Sequence, residues 1–312
     1  MMSWIKTYKV FTGILLLGVA GILPAVQAQT AKPTSSNPRL YIAISGLGDK
    51  ANTYIQGQQN ISVAKIIGQS SIVAKNSLNV DSISLVNSIR KIYPDKNTSG
   101  VCILDWEGEA LEILTNKHSG NDDYQQIAMQ FRKAITIAKQ ERPNVQWGIY
   151  GLPFRTVTAN QKWQQQCYQL RDLLKYVDII CPSLYMIYSE NVVSRSYNEK
   201  YIENNLRIAL ELGKELNKPV LPFVWPRWQG KGASFMTLVP MDAFSAYVKK
   251  IMGAEVNGNR PSGVVFWDGE VYYYKQKQPQ MLKEASNLES FVQRHDSQVI
   301  IYSDQILKAL KK

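Results

Sequence analysis

Two carboxylates stand two residues apart in Val101-Cys102-Ile103-Leu104-Asp105-Trp106-Glu107, at the end of a short apolar run. Side chains alternate along a strand, so Asp105 and Glu107 project from the same face as Val101 and Ile103. Like charges this close resist joint ionisation, and partial burial among aromatics also disfavours the charged form, which keeps one carboxyl protonated near neutral pH. A general acid that must protonate a leaving oxygen requires that state. A pair of acids at a strand end can equally meet solvent, or an arginine such as Arg227. Tyr150, Tyr185, Trp225, Trp228 and Trp267 stand at the ends of other apolar runs. Saccharide rings stack their C–H faces on aromatics while tyrosine hydroxyls and carboxylates serve hydroxyl and amide groups, so a cleft lined this way suits glycans.

The elements that must position these residues repeat one pattern: a short apolar or β-branched run, a loop, then an amphipathic stretch. The runs are Leu40–Ser45, Val101–Trp106, Gln146–Tyr150, Val177–Tyr185, Pro219–Trp225 and Val264–Trp267, with a weaker one near Ser71–Lys75. Helical stretches are read at Ser82–Ile92, Asp123–Gln140, Asn160–Leu174, Asn198–Leu216, Met241–Met252 and Pro279–Val292, with Asp123, Asn160 and Asn198 as caps. Strand–helix alternation through one chain implies a parallel sheet, and seven or eight such units close into a barrel. The fold class is therefore α/β, a distorted (β/α) TIM-like barrel of about seven to eight strands in a single domain. In such a barrel the active site gathers at the C-terminal ends of the strands, where the acids and aromatics fall. Ser45-Gly46-Leu47-Gly48 is too short a match to GxGxxG for a dinucleotide site.

The 312 residues carry 36 Lys and Arg against 25 Asp and Glu, seven Trp and seventeen Tyr, which excludes a disordered chain. Residues 1–28 read as a secretory signal peptide: Lys6 and Lys9, an apolar stretch from Val10 to Leu23, and small residues up to cleavage after Ala28. That stretch is shorter than the ~20 residues of a membrane span. An extended leader follows at 29–38, the barrel at 39–294 and a basic tail, a short strand or turn and a helix packed outside, at 295–312. The protein is expected to be secreted or periplasmic and monomeric, with no integral span after signal removal. Its formal charge of +11 attracts polyanions, in that location acidic polysaccharides, while the dispersal of the basic residues argues against a nucleic-acid stripe. Cys102, Cys167 and Cys181 form an odd set without CxxC spacing; one pair could bridge, but small buried thiols are the reading for Cys102 and Cys181. His118 and His295 lack a second ligand at metal-binding spacing and read as surface residues, so neither metal nor cofactor is expected.

Five blocks in order resemble the motifs of the hyaluronidase family of glycoside hydrolases: Ile103 to Glu107; Arg142-Pro143 followed by Trp147-Gly148-Ile149-Tyr150-Gly151-Leu152-Pro153; Pro182-Ser183-Leu184-Tyr185; Pro219 to Arg227; and Gly263 to Trp267. The resemblance implies a barrel of about seven strands and an endo-β-N-acetylhexosaminidase that retains configuration with help from the substrate's own acetamido group. It implies Glu107 as acid and base and Asp105 as the group that holds and charge-stabilises the acetamido nitrogen. It further implies that Tyr150 and Tyr185 position that group and that Trp267 floors its subsite. Ser183, Trp225 and Arg227 lie in the matching blocks and are read as substrate-binding, with a hyaluronan- or chondroitin-like polymer as partner. Two segments depart from the pattern: Gly108-Glu109-Ala110-Leu111 replaces a Trp-Arg-Pro segment, and Phe154-Arg155-Thr156-Val157 replaces Asp-Cys-Tyr-Asn and its disulfide. Two other readings remain, a glycosidase using Glu107 with Asp268 or Glu270 as the second protein carboxylate, and a non-catalytic glycan-binding barrel at the cell surface.

Overall fold

The computed structural model describes residues 38–311. The expected signal peptide, and the leader apart from Pro38, lie outside the described residues. Seven strands form one all-parallel sheet: β1 (Arg39–Ile44), β2 (Ile61–Gly68), β3 (Gly100–Asp105), β4 (Val145–Tyr150), β5 (Ile179–Cys181), β6 (Phe223–Val224) and β7 (Gly263–Asp268), in the order β5-β4-β3-β2-β1-β7-β6. The two outer strands meet through a seam of backbone hydrogen bonds instead of a full ladder. Ile180 N–H donates to the Pro219 carbonyl at 2.9 Å, Leu221 N–H to Ile180 at 2.9 Å, Phe223 N–H to Pro182 at 2.9 Å and Leu184 N–H to Phe223 at 3.0 Å. The sheet thereby becomes a nearly closed barrel, the α/β architecture expected.

Alternation divides its residues into two layers. Ala43, Val101, Ile103, Leu221, Phe223 and Val265 fill the interior, whereas Leu40, Ile42, Cys102, Leu104, Val264 and Phe266 face the surrounding helices. These are α1 (Asp49–Gln56), α2 (Ser82–Ile92), α3 (Glu109–Asn116), α4 (Asp122–Glu141), α5 (Gln161–Tyr168), α6 (Arg171–Leu174), α7 (Arg195–Leu216), α8 (Met241–Gly253), α9 (Glu270–Lys275), α10 (Pro279–Leu282) and α11 (Leu288–Leu310).

Several elements differ from the sequence reading. The weak run near Ser71–Lys75 is not the second strand; β2 precedes it, and its outward Val63 and Lys65 are exposed, which hides the apolar period. Strands β5 and β6 are shorter than their apolar runs because Pro182 and Pro222 have no N–H for the ladder. Asn160 caps α5 as expected, accepting from Trp163 N at 2.8 Å. Asn121 rather than Asp123 caps α4, and Ser194 rather than Asn198 caps α7. Asn198 is buried inside α7 and donates to the Tyr188 carbonyl at 2.9 Å.

The stretch Pro279–Val292 is broken, and its second half belongs to α11, which continues through the expected boundary after Arg294. Asp296, Val299, Tyr302 and Ile306 of α11 are buried, so this segment packs into the domain as one helix without the expected strand or turn. Asp296 also accepts from Gly48 N at 2.8 Å and Ala51 N at 3.0 Å, capping α1, whose own sequence supplies no side-chain cap. All three cysteines are free and buried. Burial raises the Cys102 and Cys167 thiols to about 12, as expected of inert packing groups. Among the described residues no helix is long and apolar enough to cross a membrane.

Candidate active site

Asp105 is the last residue of β3 and points inward. Trp106 points outward, where its ring packs on Phe131 of α4 with centroids 4.4 Å apart, and Glu107 returns to the inner side. Gly108 then turns the chain into α3 at φ 63°, a left-handed conformation that a side chain resists. Both carboxylates line a cavity of about 390 Å³ at the C-terminal end of the barrel, within the usual range of a ligand pocket. Burial first, then the neighbouring Glu107 charge, raises the Asp105 carboxyl to about 7. Burial also raises Glu107, against the opposing pull of the Arg155 charge and of Asp105. Burial and mutual repulsion therefore make the pair hold its last proton up to near neutral pH.

Tyr150, Tyr185, Trp225 and Trp267 line the same cavity. The Tyr185 ring stacks on Trp267 with centroids 5.6 Å apart, and Trp225 meets Trp267 edge-on at 5.4 Å, so each aromatic is held by another. Ser183 is buried outside the lining and accepts the Tyr150 hydroxyl at 3.1 Å; it orients that tyrosine instead of facing the cavity. Trp228 is buried in the helix-facing layer.

Arg227 departs most from its expected place. It is fully buried, outside the cavity lining, with Nε on Glu270 at 2.5 Å, Nη1 on the Met236 carbonyl and Glu284 at 2.7 Å each, and Nη2 on both carboxylates. Every arm of its fork is occupied, so it braces the wall behind the cavity. His295, read as a surface residue, is buried too, with Nε2 3.2 Å from Asp268 Oδ2. Asp268, Glu270 and His295 bring one ligand atom each within 4.8 Å of one another. Arg227 already holds both Glu270 oxygens, however, and Asp268 Oδ1 accepts the Glu270 N–H at 2.6 Å, so the cluster is an ion-pair network whose carboxylates are satisfied by protein.

The family model described as hyaluronidase, glycoside hydrolase family 56, matches residues 109–301, more than half of the chain. The chain belongs to the hyaluronidase family. The matched region begins two residues after Glu107, so the acidic pair lies outside it. Hyaluronidase-family relatives include "Inactive hyaluronidase B" of Vespula vulgaris, 22% identical over 221 residues, 66% of this chain and 58% of that protein. "Hyaluronidase" of Apis mellifera is 23% identical over 199 residues, 51% of this chain and 50% of that protein. The chain thus spans little more than half the length of these curated relatives. Bee venom hyaluronidase has the same fold, with a TM-score of 0.59 at 15% identity over 88% of this chain and 99% of that one. Its complex with a hyaluronic acid tetramer gives 0.58 at 15% identity, over 81% and 98%.

This hyaluronidase-family chain also places residues at the site that its strand ends did not announce. Gln229, Phe235 and Met236, from the loop after β6, and Tyr272 and Tyr273 of α9 line the cavity; the run Tyr272-Tyr273-Tyr274 directly after β7 was the available signal. Arg155, in the segment where the resemblance anticipates a cysteine, sits with its guanidinium carbon 5.7 Å from the Tyr185 ring centroid. Because its charge favours ionised Glu107, Arg155→Met should raise the titration of the acidic pair. The pH–rate profile of this variant is expected to move upward by about one unit. An unshifted profile in a folded variant would show that the charge does not reach the pair.

Proposed function

We propose that this protein is a secreted, monomeric glycoside hydrolase that cleaves β-linked N-acetylhexosamine polysaccharide with retention of configuration. The observation that carries this reading is the carboxylate pair Asp105 and Glu107, both lining one aromatic cavity in a hyaluronidase-family barrel. Glu107 donates its proton to the glycosidic oxygen as the bond from that oxygen to C1 breaks. The carbonyl oxygen of the substrate's acetamido group closes on C1 to give a cyclic oxazolinium, and ionised Asp105 accepts from its N–H and offsets its positive charge. Glu107, now a carboxylate, takes a proton from water as the water oxygen bonds C1, the ring opens and the starting anomer is restored. Tyr150 and Tyr185 orient the acetamido group over Trp267, while Ser183 holds Tyr150 and Arg227 supports the wall. Hyaluronic acid, named in the bee enzyme complex, is the reference polymer.

The alternative with two protein carboxylates has little support, because Asp268 and Glu270 are 3% and 1% exposed and tied to His295 and Arg227 outside the cavity lining. A glycan-binding barrel without turnover is the second reading, favoured by the relative named inactive. Proton NMR of freshly cleaved oligosaccharide separates the readings. The β anomer should form first; an initial α anomer would rule out substrate assistance, and binding without cleavage would favour the second reading.

A further inference from the structure

We infer that Arg155 is a positioning residue of the hydrolytic reaction: its charge, held behind Tyr150 and Tyr185, stabilises the Glu107 carboxylate that forms as the leaving oxygen takes its proton. The inference rests on the glycosidase reading and adds to it a residue from a segment that departs from the family pattern. Arg155 lies outside the cavity lining, so it acts through Glu107 and not on the sugar.

The backbone on either side of Arg155 is pinned. Before it, the Phe154 carbonyl accepts from Trp163 Nε1 of α5 at 2.8 Å. After it, Thr156 N–H donates to Asn205 Oδ1 of α7 at 2.7 Å, and Asn205 Nδ2 donates back to the Thr156 carbonyl at 2.7 Å. Trp163 and Asn205 are both buried, so two helices fix the point from which the arginine side chain departs. That side chain ends with its guanidinium carbon 5.7 Å from the Tyr185 ring centroid, beside the residues that line the cavity.

The charge placed there lacks a permanent counter-charge. Arg227 commits its guanidinium N–H groups to carboxylates and a carbonyl, whereas Arg155 Nη1 is buried without a partner. The surrounding phenols stay neutral: burial raises the Tyr150 hydroxyl to about 12 and holds Tyr185 and Tyr201 above the ordinary phenol value. Glu107 is the carboxyl that the Arg155 charge reaches. A buried cation without an anion costs stability, and this one stands beside the group whose charge changes during the reaction. While Glu107 is protonated it draws little from the arginine; once its proton has passed to the glycosidic oxygen and the bond from that oxygen to C1 has broken, it is an anion and draws fully. An interaction that strengthens along the step lowers its barrier. Arg155 keeps its own protons throughout.

The test uses the full-length protein, hyaluronan and N-acetylglucosamine hexamer as polymers, and aryl β-glycosides of the oligosaccharide that the wild type releases, with leaving phenols of graded acidity. Arg155→Met should lower kcat on the polymer by about threefold to tenfold, since one unit of acid strength is worth at most about tenfold in rate. KM should stay within twofold and the urea midpoint should not fall. The loss should shrink as the leaving phenol becomes more acidic and vanish for dinitrophenol, which departs without a proton. Arg155→Lys, which keeps the charge, should restore most of the rate, and Arg155→Gln serves in place of the methionine variant should that one misfold. A loss that is uniform across leaving groups, a loss confined to KM, or equal losses in the lysine and methionine variants would overturn the inference and leave the glycosidase reading standing. No cleavage of either polymer by the wild type would remove that reading and the inference with it.

Discussion

Glu107→Gln is expected to lower turnover on any cleaved N-acetylhexosamine polymer by about 10³-fold while leaving oligosaccharide affinity within a few-fold of wild type. General acid–base groups contribute roughly 10² to 10⁴, and this residue acts in both halves of the proposed cycle. Glutamine keeps the shape of the side chain but can neither give up nor regain the proton. The substitution also removes one of two mutually repelling charges, so Asp105 should titrate below its present value of about 7, with burial alone still holding it up. Initial rates, fluorescence binding and the pH dependence of binding check the three statements together. Undiminished turnover in Glu107→Gln would remove the proposed mechanism, whatever the substrate.

Arg227→Leu carries the second large effect, and it falls on stability. The guanidinium neutralises Glu270 and Glu284 in a region where Arg227 and Glu270 have almost no solvent contact. Removing one partner of a buried ion pair typically costs about 3–5 kcal/mol, because the remaining charge loses its partner without regaining water. Burial, and then the Asp268 charge, already place the Glu270 carboxyl near 7 with the arginine present. In the variant Glu270 should titrate above its unfolded value, while Glu284 keeps Arg294, so the folded state binds more protons than the unfolded one. The sign follows directly: the deficit is largest at neutral and alkaline pH and shrinks as pH falls and the orphaned Glu270 carboxyl protonates. Urea unfolding at pH 5 and pH 8 reads this, and equal midpoints for variant and wild type at pH 8 would contradict it. The folded fraction should retain its KM, since Arg227 lies outside the cavity lining, whereas direct contact with substrate would raise KM.

Asp105 was readable because strand alternation is local: once Val101 to Leu104 is a strand, Asp105 falls on its inner face, whereas Glu107 lies past the end of β3 and lines the same cavity through the course of the following turn. The same period put Tyr150 and Trp267 at the inward ends of β4 and β7, and the order of the blocks carried the family. Trp228 and Trp106 show the limit of residue type as a guide, since both are aromatics near strand ends that turn into the helix layer. Ser183 and Arg227 show the same limit for polar residues: a position near the barrel mouth does not reveal whether a side chain faces the cavity or a neighbour behind it.

By itself, then, the sequence determined the repeating strand–helix units, the inner face of β3 with Asp105 at its end, and the aromatic character of the barrel mouth, because periods of two and 3.6 residues are written within a few positions. Only the tertiary structure decided which charges meet. Asp296 caps a helix through Gly48, 248 residues earlier, Arg227 is consumed by Glu270 43 residues away, and Arg155 comes to rest over Tyr185. Closure decided these pairings. The seam between Ile180 and Phe223 and the docking of α11 bring distant segments together, and no local period encodes which side chains face one another across them.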